Sequence, residues 1–207
     1  TGVQTCALPI STTQAFAIQG DSVRMNFFCN NRLGVNAMLE KVQFVAAGTA
    51  DSTFGIALLR NKNVTFSKTL FVDPRIPQTE PYWLEQPMAE GHFNVDDQQR
   101  IGQADVSPSW LMRAIIQIEG TSFTFTKPVR YKFTDPVRGE LYEPLVVLPA
   151  VELSFGNENY LSVNGQPVNV NLHYRSNRKD SSTYAFSYQV SQNWTNDSKP
   201  GPLVISG

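Results

Sequence analysis

Val23-Arg24-Met25-Asn26-Phe27-Phe28-Cys29 decides the fold class. Val23, Met25, Phe27 and Cys29 fall on one side of an extended chain and Arg24 and Asn26 on the other, the period of two expected of a half-buried strand. The alternation returns in Val42 and Phe44 against Lys41 and Gln43, and in Met112, Ala114, Ile116 and Ile118 against Arg113, Gln117 and Glu119. Phe123 and Phe125 lie between Ser122, Thr124 and Thr126, while Val129, Tyr131 and Phe133 lie between Arg130, Lys132 and Thr134. Pro128 separates these last two runs. It has no amide hydrogen for a ladder bond, so it predicts an edge, bulge or bend. Glu119-Gly120-Thr121 predicts the hairpin that joins the runs on either side of it. Phe54 to Leu59 and Val64 to Phe71 add two strands around Arg60-Asn61-Lys62-Asn63, whose asparagines tolerate turn conformations.

Between Asp73 and Pro108 the pattern breaks. Pro74, Pro77, Pro81 and Pro87 predict an extended, irregular excursion with at most short strands near Trp83 and Phe93. Further on, Val168, Val170, Leu172 and Tyr174 alternate with Asn169, Asn171, His173 and Arg175. Tyr184, Phe186, Tyr188 and Val190 do the same against Ser187, Gln189 and Ser191, and Leu203 to Ile205 reads as a last strand. No segment carries a sustained apolar stripe of helical period. The expectation is an all-β chain: an immunoglobulin-like β-sandwich over residues 11–144, then a second β-sandwich over residues 145–207. The second is shorter than the ~100 residues of a typical sandwich, so it reads as truncated after Gly207.

Composition narrows the function classes. The 207 residues carry a net charge of −1, with 41% hydrophobic and 17% charged side chains, enough apolar material for a packed core. Lys and Arg are scattered, so the basic patch of a nucleic-acid binder is missing and no nucleic-acid partner is expected. No apolar run is long enough to predict a membrane span. Cys6 and Cys29 are the two cysteines. They make no disulfide framework, and Cys29 on its strand reads as an inert buried thiol. Sequons at Asn63, Asn193 and Asn196 read as coincidental.

Thr1-Gly2-Val3-Gln4-Thr5-Cys6-Ala7-Leu8-Pro9-Ile10 resembles a translated sequencing adapter and is set aside from the fold argument. On that reading the natural N-terminus is missing. A natural edge strand is the rival reading. The tail of a signal peptide is a weaker one, since no basic region precedes an apolar core.

Local signatures of chemistry are few. There is no Gly-x-Ser-x-Gly elbow, phosphate-binding glycine loop or calcium loop. His92-Phe93-Asn94-Val95-Asp96-Asp97 comes nearest to a metal motif, with His92, Asn94 and Asp96 on one face of an extended chain and Asp97 on the other. Catalytic zinc needs three protein ligands and an open position, and the other imidazole, His173, lies far off on the wet face of a strand. No catalytic residue, metal site or cofactor is therefore predicted, and a metallohydrolase centred on His92 ranks last among the readings. Tyr82, Trp83, Trp110 and Trp194 are the candidate ligand or interdomain contacts. Their aromatic faces suit the apolar face of a sugar ring, but packing or interdomain contact is the favoured role. Asp135, Arg138 and Glu140 are expected to make polar turn contacts in a salt-bridged hinge between the two modules.

Three segments then carry a resemblance. Gly20-Asp21 precedes the first strand, Pro81-Tyr82-Trp83-Leu84 follows, and Tyr131 to Leu145 reads Tyr-Lys-x-x-Asp-Pro-Val-x-Gly-Glu-x-Tyr-x-Pro-Leu. In that order they resemble the β-rich region downstream of the catalytic domain in large bacterial deacetylases of the PIG-L (LmbE-like) family. The part after Pro149 is similar to the NPCBM-associated sandwich, an accessory module of glycan-active bacterial enzymes. The resemblance implies a parent, exported to the periplasm or cell surface, that removes N-acetyl groups from sugar-like substrates with zinc. The family's His-Pro-Asp-Asp zinc motif is not in this sequence, and none of its ligands carries over. The expectation is a noncatalytic accessory or scaffold fragment whose partners are the catalytic domain of the parent chain and, as a further candidate, glycan. The alternative is an independent carbohydrate-binding or cell-surface adhesion module.

Overall fold

Backbone pairing assembles the alternating runs into sheets. The computed structural model describes residues 6–7, 9–46, 49–103, 106–190, 195 and 203–205, and the chain divides into two units, Thr1–Leu148 and Pro149–Gly207. Among the described residues it is all-β, with one short 3-10 turn at Gln98–Arg100.

The first unit begins with β1 (Cys6–Ala7), β2 (Ile10–Thr12), β3 (Phe16–Ile18), β4 (Ser22–Asn31), β5 (Ala37–Val45), β6 (Thr49–Ala57) and β7 (Asn63–Phe71). It continues with β8 (Leu111–Ile118), β9 (Thr121–Pro128), β10 (Arg130–Asp135), β11 (Gly139–Pro144) and β12 (Val146–Leu148). In one sheet β4 is central, antiparallel to β7 on one side and to both β1 and β2 on the other. β10 then runs parallel to β2, and β11 closes antiparallel on β10. The other sheet is the antiparallel series β6-β5-β8-β9. β3 and β12 form a separate parallel pair.

The two sheets pack face to face as a sandwich. Val23, Met25, Phe27 and Cys29 of β4 are all 0–1% exposed and share one core with Leu39, Val42 and Phe44 of β5 and Met112, Ala114 and Ile116 of β8. Phe54 on β6 meets Phe66 on β7 with ring centroids 4.7 Å apart, and Phe66 meets Phe27 at 4.8 Å, which links the layers directly. Burying side chains of this size stabilises the fold by roughly 1.5–3 kcal/mol each, so this core is what holds the unit.

Local chemistry sets the turns. Glu119 and Gly120 both have positive φ, 47° and 83°, which gives the β8–β9 connection the backbone handedness that matches strand twist in two-residue hairpins. Glu40 is an extra residue: Leu39 pairs with Ile116 and Lys41 with Ile115. This bulge moves the inward face from Ala37 and Leu39 to Val42 and Phe44. Pro128 ends β9 in one sheet, Val129 donates to the Trp110 carbonyl at 3.0 Å, and β10 starts in the other sheet. The bend expected at this proline is therefore the crossing point between layers.

Several expectations need correction. The residues read as a hinge, Asp135 to Glu140, form the turn of the β10–β11 hairpin inside the first unit. Leu145 and Val147, expected to open the second module, are 1% and 0% exposed in the first core, and β12 pairs with β3, so the division falls after Leu148. The stretch from Asp73 to Pro108 is irregular, as expected: among its described residues no strand forms at Trp83 or Phe93, and Ala89 and His92 make one isolated bridge. The prolines there remove ladder donors and hold the chain open.

In the second unit β13 (Val151–Phe155) pairs antiparallel with β14 (Leu172–Ser176), and β15 (Ser182–Tyr184) pairs with β16 (Leu203–Ile205). The strands expected at Val168 to Arg175 and Tyr184 to Val190 are thus shorter, starting only at Leu172 and ending at Tyr184. An alternating sequence becomes a strand only where a neighbour accepts its ladder bonds, and here the pairing stops.

Candidate functional site

The excursion after β7 holds the first two aromatic candidates. Pro81-Tyr82-Trp83-Leu84 is a tight turn, closed by the Leu84 amide donating to the Pro81 carbonyl at 2.9 Å. Tyr82 and Trp83 are half-buried, and their rings meet edge to face, 4.9 Å apart at 89°. The Tyr82 hydroxyl accepts from the Gly102 amide at 3.1 Å, and the Arg100 guanidinium sits 5.7 Å from the Tyr82 ring centre. Arg100 is itself gripped by both Glu85 oxygens at 2.6 Å. That fork holds the Glu85 carboxyl below the ordinary carboxylate range and raises the guanidinium. Asp97 caps the short 3-10 turn that presents Arg100, its Oδ1 accepting from the Gln99 amide at 3.0 Å.

This cluster ties two ends of the loop together. Its rings are perpendicular, so they offer single faces rather than a flat stacking platform. A groove of about 970 Å³ lies along the same excursion, lined by Gln19, Arg75, Pro77, Glu80, Glu85 and Ser107 among others, but neither Tyr82 nor Trp83 lines it. Arg75 in that groove is paired with Asp73 through three side-chain hydrogen bonds and one from its backbone amide, and this pairing lowers the Asp73 carboxyl to about 2.

The other two aromatic candidates are not brought to this cluster. Trp110 is 4% exposed, in the core of the sandwich, and among the described residues its indole Nε1 has no hydrogen-bond partner. Of the two roles considered for it, that position is one of packing. Trp194 lies outside the described residues. His92 is exposed and engaged through its backbone with Ala89, while Asp96 lies 3.4 Å from the Gln86 amide and Asp97 serves as the cap. Among the described residues no three His, Cys, Asp or Glu side chains gather as a metal site would require.

The long motif from Tyr131 to Leu145 is the β10–β11 hairpin. Asp135 Oδ1 accepts from the Val137 and Arg138 amides at 2.9 and 2.7 Å, an Asx turn that folds the tip. Gly139 at φ 80° completes the reversal. Across the strands Lys132 and Glu140 pair at 2.6 Å, and the Tyr142 hydroxyl donates to Glu140 at 3.3 Å. Sequence reasoning expected polar turn contacts from Asp135, Arg138 and Glu140, but it did not pair Lys132 or Tyr142 with them. The signal was present as a Lys and a Tyr eight and two residues from Glu140, a spacing that only a closed hairpin brings together.

No family model matches the chain, and no curated protein matches it. Two solved structures illustrate its distant structural likenesses. One is the β-glucosidase from Listeria innocua in complex with isofagomine, 11% identical at a TM-score of 0.26 over 60% of this chain. The other is the sporulation control protein Spo0M from Bacillus subtilis, 9% identical at a TM-score of 0.30 over 61% of this chain. The chain spans 16% of the first protein's length and 50% of the second's.

Proposed function

We propose that this chain is a noncatalytic accessory or scaffold region of a PIG-L-type, zinc-dependent N-acetyl-sugar deacetylase, positioning a catalytic domain that lies elsewhere in the parent chain. The observation that carries this reading is the use of the long motif. Its Asp, Gly, Lys, Glu and Tyr are spent on the turn and cross-strand contacts of one hairpin, as expected of residues that build a fold rather than react. The immunoglobulin-like character of the first unit and the NPCBM-associated character of the second belong to the same reading. The test is the uninterrupted upstream reading frame. A His-Pro-Asp-Asp-bearing deacetylase domain fused in frame is the expected result; an open frame without one would sink the assignment.

The second reading is a carbohydrate-binding or cell-surface adhesion module. It is favoured by the Tyr82–Trp83 pair, rings at 89°, in which Tyr82 is anchored by the Gly102 amide and by Arg100. Glycan-array binding by the purified chain, lost in Trp83→Ala, is what this reading expects.

A further inference from the structure

The outward face of the first sheet of the sandwich holds a groove of about 490 Å³, within the ~300–1,000 Å³ range of small-molecule sites. Strand register places its side chains. Asn26 lies opposite Ser67 of β7 and opposite Ser11 of β2, Phe28 lies opposite Thr65, and Lys132 lies opposite Tyr142. Residues directly opposite share a face, so these groups project together. All of them line the groove.

Part of this lining is fixed and part is free. Arg24 donates to the Ser67 hydroxyl at 3.1 Å, and the Lys132–Glu140 pair braces Tyr142, with the ammonium 5.9 Å from the ring centre. Among the described residues the Asn26 amide and the Thr65 hydroxyl have no side-chain hydrogen bond, and Asn26 is half-buried. An unpaired amide offers two donors and an acceptor to a ligand.

Charge and geometry choose the ligand class. Lys132 and Glu140 are the charged residues of the lining and neutralise each other, and Arg24 at the rim directs its guanidinium to the Ser67 hydroxyl, so the groove floor carries no net charge and favours an uncharged ligand. The backbone groups of β4 that floor the groove are already committed to ladders on both sides, so the floor itself offers no backbone groups for an extended peptide to pair with, and strand addition is open only at the outer edges of β7 and β11. What remains is an array of amide and hydroxyl groups beside two aromatic rings, Phe28 and Tyr142. That array matches a molecule with many hydroxyls and apolar ring faces.

We propose that this groove binds a neutral oligosaccharide, with Asn26, Thr65 and Ser67 hydrogen-bonding sugar hydroxyls and Phe28 and Tyr142 packing against apolar faces of the rings. The proposal rests on the carbohydrate-binding reading above and gives it a binding surface on the sheet face.

The test is calorimetric titration of the full chain with cello-, chito- and manno-oligosaccharides, and with an acidic uronate oligosaccharide as the charged comparison. The expected result is binding of a neutral probe, weakened about tenfold or more by Asn26→Ala and by Tyr142→Ala, the loss of one or two well-placed contacts. Met88→Ala, at an exposed loop position outside the groove lining, is expected to leave that binding unchanged. Tyr142 is 41% exposed at a hairpin, so its variant keeps the test alive should Asn26→Ala fail to fold. Binding abolished by Trp83→Ala but indifferent to Asn26→Ala and Tyr142→Ala would overturn the groove and leave the carbohydrate reading standing. No binding of any neutral probe would overturn both. A preference for the uronate probe would overturn the neutral-ligand assignment.

Discussion

The Asn31 side-chain amide donates to the Leu58 carbonyl at 2.8 Å in a fully buried position. The same amide donates to the Val35 carbonyl at 2.7 Å, Oδ1 accepts from the Gly34 amide at 2.9 Å, and the Asn31 carbonyl accepts from the Asn61 amide at 2.9 Å. One side chain thereby joins the β4–β5 turn to the segment where the chain passes from β6 in one sheet to β7 in the other. Asn31→Ala leaves three backbone groups without this partner. At about 1–3 kcal/mol for each buried group that stays unsatisfied, a total loss of about 3 kcal/mol is expected in urea unfolding. A change below ~1 kcal/mol would show that the junction does not depend on this amide.

Gly34 sits beside that junction with φ at 74°, and a Cβ built there would lie 2.7 Å from Arg60 Cδ. Two costs are therefore combined in Gly34→Ala: the left-handed backbone, about 1–2 kcal/mol, and the clash with Arg60. In an Arg60→Gly background only the first should remain, since Arg60 Cβ itself would lie 3.0 Å from the new methyl group. A double-mutant cycle of unfolding free energies separates the two, and equal costs in both backgrounds would rule out the steric part.

Trp110 buries its ring, yet among the described residues its Nε1 has no partner. Trp110→Phe removes the stranded N–H together with some ring volume, two effects of opposite sign, so its unfolding free energy should stay within ~1 kcal/mol of the starting protein. Trp110→Ala keeps no such compensation and should lose about 3–5 kcal/mol. Equal losses in the two variants would mean that Nε1 does make a bond in solution.

Ile10 pairs with Phe27 and is 4% exposed, although the segment ending at it resembles an adapter. If β2 is held by this contact, Ile10→Ala should cost about 2 kcal/mol or more. A thermal midpoint unmoved by Ile10→Ala would mark the segment as dispensable to the fold.

The Asp73 carboxyl titrates at about 2, held down first by the side-chain hydrogen bonds from Arg75 and then by the Arg75 amide. Its folded value lies below the ordinary 3.8 of the open chain. The associated stabilisation is thus complete above that ordinary value and disappears as pH falls through about 2. Carbon-13 titration of the Asp73 carboxyl should give the low midpoint, rising toward the ordinary value in Arg75→Ala. An unshifted midpoint in the unmodified chain would show that the ion pair does not persist in solution.

Much of the sandwich was legible from side-chain period alone. Val23 to Cys29 and Met112 to Ile116 alternate because every second side chain must leave water, and both runs became central strands with that face buried. Glu119-Gly120 was readable for a related reason: a two-residue reversal needs left-handed backbone, which glycine accepts most easily. The bulge at Glu40 was hidden because it shifts the alternation by one residue, so that Ala37 and Leu39 fell out of phase with Val42 and Phe44.

Partners were not legible. The alternation of Val168 to Tyr174 is as regular as that of Val23 to Cys29, yet only its end pairs, since a strand needs a neighbour and the sequence names none. The same limit hid the hairpin from Arg130 to Pro144, which looked like a connector between domains until Lys132 was found against Tyr142.

By itself the sequence determined which side chains seek the interior, where the chain may reverse, and hence that it is built of sheets, since those follow from local geometry and the cost of wetting apolar surface. Tertiary structure alone decided which strands meet, that Leu145 and Val147 belong to the first core, and that Asn26, Thr65 and Tyr142 face one groove. These are matters of register between distant segments, and register is settled only when both strands are present.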